Sequence, residues 1–524
     1  MEPAPDAPRR AGGRTGGSGD RAGALSLDAP GIEPVGVVPW PLLWRDRVRH
    51  RLERSERYPW IVLATALFGL FTVGFTITIL AVSVPGIADD LGAAEATLTW
   101  VVTGPILAFA IVGPAAGKLA DLHGPRRIYL LGLLGSAVFA GLTALAWSAP
   151  SLIAFRVLGA TLGAACGPAS MAMVNRLFPR EVRAQAMGYW SLVMAGGPVL
   201  GVVAGGPIVE AFGWRWIFVA QVPFVIAGLL VAYALLPDTE RGERQPFDII
   251  GSITLGGTTA LALFALNRGP LLGWDHPVVV GGFAFAPIGI ALFVWRQRTF
   301  SHPLIPLEYL RRRNVVFPVL TQMFTNFAYM GGFILTPLLL QDVMGYGEAR
   351  TGLLSISRPL LFAIAGPVAG YLAVRAGERP MAVFGAICVV ASMLGLAQVG
   401  PGASDLLIIG ALGLSGIGLG ASSPAMAATI ANAVDESDLG IAGAAQQMMS
   451  QVAVVAGIQI LQTVQTSREA VVGTAASYQE AYLVGGAVAA LAIVTASFVR
   501  STRDERVDEP VAADSRELAT SAGQ

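Results

Sequence analysis

Uninterrupted apolar stretches constrain this chain more than any other feature. Residues 60–84 and 481–499 carry no charged side chain, and at about 1.5 Å of rise per helical residue each is long enough to cross a hydrocarbon layer of about 30 Å. Similar stretches recur along the chain: 54% of its 524 residues are hydrophobic and 13% are charged, where soluble domains carry roughly a quarter. A soluble fold would need one core able to hide all of them, so the pattern excludes that class and predicts an all-α membrane protein.

Breaks at glycine, proline and clustered charge predict fourteen helices, over 60–84, 98–118, 127–147, 150–174, 186–208, 214–236, 248–267, 278–296, 315–340, 349–373, 380–400, 405–430, 439–465 and 480–499. Arginines orient them, because basic residues in short loops stay in the cytoplasm. Arg126 and Arg127 follow the second helix, Arg176, Arg180 and Arg183 the fourth, Arg241 and Arg244 the sixth, and Arg500, Arg503 and Arg506 the last. Both termini are therefore expected to be cytoplasmic. The loop with Asp435, Glu436 and Asp438 falls on the same side and runs against the rule. Residues 1–38 read as a disordered tail. Trp44, Val48 and Leu52 recur at helical spacing among arginines, as in a helix lying on the membrane surface or merely a basic tail.

Several chemistries lack their residues. The two cysteines, Cys166 and Cys388, lie in predicted helices and support neither a disulfide framework nor a zinc cluster. The chain has no G-x-x-x-x-G-K-[ST], H-E-x-x-H or G-x-S-x-G, and its four histidines fall in predicted loops. Neither an enzyme nor a cofactor, metal or nucleic-acid partner is expected, and no charged ring or carbonyl filter suggests a channel.

An internal repeat organises the helices. Shifted by 253 residues, "GPAAGKLADLHGPRR" (113–127) falls on "GPVAGYLAVRAGERP" (366–380), and 15 of the 37 positions from 91 to 127 match their partners, Gly92, Glu95, Pro114, Gly117 and Gly124 among them. Two copies of a six-helix unit are expected, over 58–237 and 299–500, with a linker of two extra helices over 238–298 and tails over 1–57 and 501–524. Two related halves around a midplane cavity suit a transporter that rocks one half against the other.

The segment "GKLADLHGPRR" (117–127), with "FPREVRAQAMGYW" (178–190), "WRWIF" (214–218) followed by Pro223, and Asp248 with Gly251, resembles the fourteen-helix drug:proton antiporter branch of the major facilitator superfamily, over about residues 58–500. The resemblance implies a major facilitator fold of two six-helix repeats plus two inserted helices in a bacterial cytoplasmic membrane. It also implies a monomeric secondary exporter of bulky amphipathic small molecules, exchanging them for protons by alternating access. The alternative is a dedicated exporter of an endogenous lipid or secondary metabolite with weak or absent proton coupling.

Candidate residues follow. Asp121 ends the second helix, where the helix dipole disfavours an acid; Arg126, Arg127 or the N-terminus of a helix from the other half is expected to stabilise it. The resemblance implies a cross-half latch there, with Gly117 and Gly124 permitting close approach and a tight turn. The second copy has Val374 in place of the acid. Gly197, Gly201 and Gly205 share a face of the fifth helix beside Pro198, as a packing stripe or as an interface that restrains leak. Arg156 matches the family's arginine of helix 4, while Arg358 has no evident counterpart; each lies at membrane depth, where a charge is functional or paired, or snorkels outward. Many members of the branch carry an aspartate where this chain has Thr76, and no Asp or Glu falls near a predicted midplane. Either an acid at a helix end couples protons, with Asp121 or Glu210 the candidates beside Arg156, or coupling is weak or absent. The expected cavity contacts are Thr76, Gln221, Gln322, Asn326, Tyr329, Arg358, Gln447 and Gln451, each with helix-to-helix bonding as its alternative role. Two buried cations and no buried acid favour neutral or anionic substrates over cations.

Overall fold

The computed structural model describes residues 55–76, 86–93, 95–98, 100–238 and 246–500, all within one compact unit. The expected tails, the 44–52 surface helix, Arg241, Arg244 and the end of the first predicted helix lie outside the described residues. Leaving aside the single turn Glu95–Leu98, the helices are α1 Tyr58–Gly74, α2 Trp100–His123, α3 Pro125–Ala144, α4 Ala149–Gly163, α5 Cys166–Leu177, α6 Arg183–Phe212, α7 Arg215–Leu235, α8 Ile249–Leu272, α9 Pro277–Thr299, α10 Arg313–Asp342, α11 Glu348–Ser355, α12 Ser357–Ala376, α13 Glu378–Leu396, α14 Asp405–Ala433, α15 Leu439–Val472 and α16 Thr474–Ser497. Among the described residues twelve spans are long and apolar enough to cross a membrane, α4 with α5 making one and most of α11 with α12 another. The fourteen expected are not all matched: α1 is described over 17 residues, and the 30-residue α6 is not among the twelve.

The two largest buried apolar clusters draw on different halves of the chain for most of their residues. Leu63, Leu67, Tyr129, Leu133, Met187 and Val225 pack together from α1, α3, α6 and α7, while Leu335, Val389, Met393, Leu412, Leu461 and Tyr482 pack together from α10 and α13–α16. Large apolar residues such as Leu131, Leu230, Ile288 and Trp295 point outward, as lipid-facing positions should. The backbone repeats with the sequence. Gly124 and Gly377, 253 residues apart, precede α3 and α13 with φ of +91° and +94°, and Gly92 and Gly345, also 253 apart, have φ of +59° and +68°. A side chain is strained in that region, so both copies require glycine at both turns.

Close helix contacts are made by small residues, because apolar side chains gain little by leaving lipid for protein. At the α13–α14 crossing a Cβ on Gly385 or Gly418 would run into the other's carbonyl oxygen. Gly410, on the same helix as Gly418, has nothing within 4 Å of its missing Cβ. Gly418→Ala is therefore expected to lower stability in detergent by about 1–3 kcal/mol through overpacking, whereas Gly410→Ala leaves it unchanged or raises it by up to about 1 kcal/mol. Equal midpoints for the two variants in a thermal unfolding assay would refute this packing.

Candidate functional site

The two halves meet closely at the end of the molecule where the arginines cluster. Within "GPAAGKLAD", Gly117 lies against α15: a Cβ there would collide with the Gly440 carbonyl oxygen and the Ala444 methyl. That approach brings Asp121, one helical turn further along α2, to the start of α15. The Asp121 side chain is buried (2% exposed) and accepts from the backbone N–H of Gly440 at 2.9 Å and of Ile441 at 2.8 Å. Asp438, at the N-cap position of α15, makes no capping bond of its own. Asp121 thus caps a helix of the other half, placing its charge on the positive end of that helix's dipole and satisfying two otherwise orphan donors.

Cations complete the junction, although not those the sequence suggests. Arg176, at the end of α5, donates to Asp121 Oδ1 and to the Glu436 carbonyl, both at 3.2 Å. Lys118, the chain's only lysine, lies 3.5 Å from Asp438. Arg183 donates to the Ala431 carbonyl at 3.2 Å and to Asn432 Oδ1 at 3.0 Å. Arg126 turns away and pairs with Asp238 and the Tyr233 carbonyl, and Arg127 is exposed. The acidic 435–438 loop, out of place by the charge rule, is therefore the counter-surface for N-terminal cations. Tyr309 donates to Asp438 at 2.6 Å; burial, then its bond to Asp438, pushes its phenol well above the ordinary range, so it remains a donor.

A second seam mirrors the first with no acid at the position that matches Asp121. The repeat carries Gly113 and Gly117 onto Gly366 and Gly370 of α12, and a Cβ on Gly370 would strike the Ala184 carbonyl of α6, as one on Gly188 would strike that of Gly366. Each half thus packs its GxxxG helix on the fifth helix of the other. Val374, where Asp121 has its counterpart, joins an apolar cluster with Ala184 and Ala373. The spacing of the glycines was visible in the sequence; their partners were not.

The inserted pair α8/α9 borders the first seam. A Cβ on Gly256 of α8 would touch Ile111 of α2, and Thr259 approaches Met448 of α15 at 3.7 Å. The buried Asp248 caps α8 through Gly251 N–H at 2.9 Å and holds Arg296 at 2.9 Å and Gln297 at 3.0 Å, while Gln297 accepts from Ile305 N–H at 3.0 Å. This fixes Phe293, Leu304 and Ile305 against Ile441, the residue that donates to Asp121.

The remaining candidates are scattered. Gly197 faces Phe71 of α1 and Phe75 just after it at ordinary contact distance. The side-chain positions of Pro198, Gly201, Gly205 and Glu210 lie outside the described residues, although all four sit on α6. Thr76 is buried with its hydroxyl unpartnered. Gln221 donates to the Thr72 carbonyl at 3.0 Å, its Oε1 is unpartnered, and the residue lines a cavity of about 30 Å³ with Arg156 and Ser136. Gln322 and Asn326 bond within α10, at 2.8 Å. Arg358 does not snorkel: it is 1% exposed, donates to the Tyr329 carbonyl at 3.2 Å and lies 5.4 Å from the centre of the Tyr329 ring, so these two are together but buried. Gln447 and Gln451 are half-buried on α15. Sequence reasoning passed over Gln446 beside them, buried with an unpartnered oxygen, gave Lys118 and Tyr309 no role, and used Arg176 and Arg183 only to orient the helices.

Asp248→Ala is expected to cost about 3–5 kcal/mol by stranding Arg296, Gln297 and a helix start, and Phe293→Ala about 3–5 kcal/mol. Thermal unfolding midpoints of the two purified variants are the check; wild-type midpoints for both would show that the inserted pair is not tied down as described.

The chain matches the Major Facilitator Superfamily model over residues 66–458 and 351–522. It is 30% identical over 420 residues to the tetracenomycin C resistance and export protein of Streptomyces glaucescens, covering 78% of this chain and 76% of that one. It is 28% identical to the methylenomycin A resistance protein of Streptomyces coelicolor, over 81% and 90% of the two chains, and 26% identical to the multidrug transporter protein MdtP of Bacillus subtilis, over 78% and 75%. Among solved structures the proton:xylose symporter XylE superposes with a TM-score of 0.63 at 14% identity, over 85% of this chain and 96% of that one. The chain belongs to the Major Facilitator Superfamily, and it is a multi-pass membrane transporter of the drug- and antibiotic-efflux type, not an enzyme.

Proposed function

We propose that this chain is a secondary exporter of bulky amphipathic small molecules that works by alternating access and exchanges its substrate for protons. The observation that carries the reading is the buried Asp121 carboxylate capping α15 across the two halves, a contact that can be made and broken whole as the halves rock. On this reading Gly117, Asp121, Gly124, Arg126 and Arg127 belong to a gate at the arginine-rich face, which lies in the cytoplasm with both termini. The α6 stripe of Gly197, Pro198, Gly201 and Gly205 restrains leak. Helices α1 and α6 complete fourteen crossings, giving bundles over 58–237 and 299–500 with the 238–298 pair between them. The protein works as a monomer among membrane lipids. Asp121, Arg156 and Glu210 are the coupling candidates, and the substrate cavity draws on Thr76, Gln221, Gln322, Asn326, Tyr329, Arg358, Gln447 and Gln451.

A second reading, a dedicated exporter of one metabolite with weak or absent coupling, is favoured by the neutral Thr76 where an acid would serve a proton-driven pump, and by relatives named for single antibiotics. Everted membrane vesicles separate the two. With tetracenomycin C as the first probe, energised vesicles are expected to accumulate it while releasing protons to the medium, and Asp121→Asn to slow uptake at least tenfold. Uptake without proton release selects the second reading; no gradient-driven uptake of tetracenomycin C or of other amphipathic drugs removes the export reading.

A further inference from the structure

The inserted pair α8/α9 lies across the first seam, and its two ends are held by different halves. At the arginine-rich end the ties run to the second half. Phe293 of α9 and Leu304 pack with Ile441 of α15, and Leu255 of α8 and Ile305 lie against them. Gln297 of α9 donates to Asp248 and accepts from the Ile305 N–H, both at 3.0 Å, so this end of the pair is bonded to the segment that leads into α10. That segment is strapped over the connection between α14 and α15. Tyr309 donates to Asp438 at 2.6 Å and is buried among Ala431, Val434 and Leu439, with Ala172 of α5 reaching the same cluster from the first half. Arg312 donates to the Ala433 carbonyl at 2.8 Å.

At the opposite end the ties run to the first half. Trp100 begins α2, about 30 Å along the helix from Asp121. Its ring stacks on Phe264 of α8 with centres 6.1 Å apart, and the Arg268 guanidinium of α8 lies 4.8 Å from its centre, an attraction of both stacking and cation–π kind. Midway along, α8 meets both halves, Gly256 lying against Ile111 of α2 and Thr259 near Met448 of α15. These contacts differ in how they can part. Pulling the arginine-rich end off the second half breaks the bond between Gln297, itself buried, and Ile305 and opens an apolar cluster. The approach to Ile111 is plain surface contact and can slide.

We infer that the inserted pair is a brace across the α2/α15 seam, carried by the second half at its arginine-rich end and by the first half at the other; the proposal rests on the alternating-access reading. When Asp121 leaves the start of α15, the near end of the pair travels with Ile441 while the far end stays on Trp100, so the pair tilts instead of following either half. It thereby keeps the opening seam covered from lipid. The face it turns to the bilayer is α9, whose Phe285, Ile288, Leu292 and Trp295 point outward.

Pulsed electron spin resonance on the full-length protein in lipid nanodiscs tests this, with labels at exposed positions: Ile250 at the arginine-rich end of the pair and Leu272 at the other, Arg127 and Leu145 on the first half, Ser437 and Val471 on the second. In Asp121→Asn, Ile250–Ser437 should keep its wild-type distribution, while Ile250–Arg127 lengthens by about as much as Arg127–Ser437 does. At the other end Leu272–Leu145 should stay fixed and Leu272–Val471 shorten. Wild type saturated with tetracenomycin C repeats the comparison without a substitution. The brace is overturned if Ile250 keeps its distance to Arg127 while Arg127–Ser437 lengthens, or if Leu272 parts from Leu145. It is also overturned if every distance stays fixed under both conditions, an outcome that removes alternating access with it. The predicted pattern in a protein that drives no drug into everted vesicles would sink the export reading and leave the brace standing.

Discussion

The Asp121 carboxylate is the centre of the electrostatic contact between the two halves of this molecule. Asp121 ends its own helix at the unfavourable pole of the dipole and is stabilised by the favourable pole of α15, which begins in the other half. The geometry exists because Gly117 and Gly440 let the two backbones touch. Arg176 and Lys118 then balance Asp121 and Asp438. Without the glycines the acid could not reach the helix start, and without the acid a buried helix N-terminus would keep two unsatisfied donors, each costing about 1–3 kcal/mol.

The duplicated architecture carries the helix-capping acid in one copy only. Both halves present a GxxxG helix to the fifth helix of the other, yet only the first copy keeps the acid; the second sets the partly buried Val374 beside alanines. At the valine the second seam separates without stranding a carboxylate. A charged seam in a poorly hydrated place is either made or costly. One of each gives a closed arrangement with a defined register and a single point at which it can be undone, the property the proposed gate requires. The inserted helices add to this by holding Phe293 and Leu304 against Ile441.

How far the sequence could be read follows from how far each signal acts along the chain. Helix positions were legible because apolar run length is local, and the repeat because glycines at turns of positive φ, such as Gly124 and Gly377, cannot be exchanged for other residues without strain. The acceptor role of Asp121 was legible from its clash with its own dipole. A helix start in the other half was among the expected partners, but which helix and which cation were not legible, since Arg126 and Arg127 are near in sequence while Arg176 and Gly440 are near in space. The 435–438 loop looked like an exception to the charge rule for the same reason: its counter-charges sit in the other half. The predicted cavity residues separated least well, because a glutamine on an apolar helix has the same sequence signature whether it bonds a neighbouring carbonyl, as Gln221 does, or faces a substrate.

The most direct test is the distance across the charged seam, measured by pulsed electron spin resonance between labels at Arg127 and Ser437, both exposed, in lipid nanodiscs. The unaltered seam should give a predominantly short distance, and Asp121→Asn should move a substantial fraction of molecules to a longer one. Identical distributions for the two proteins would contradict the view that this carboxylate holds the halves together.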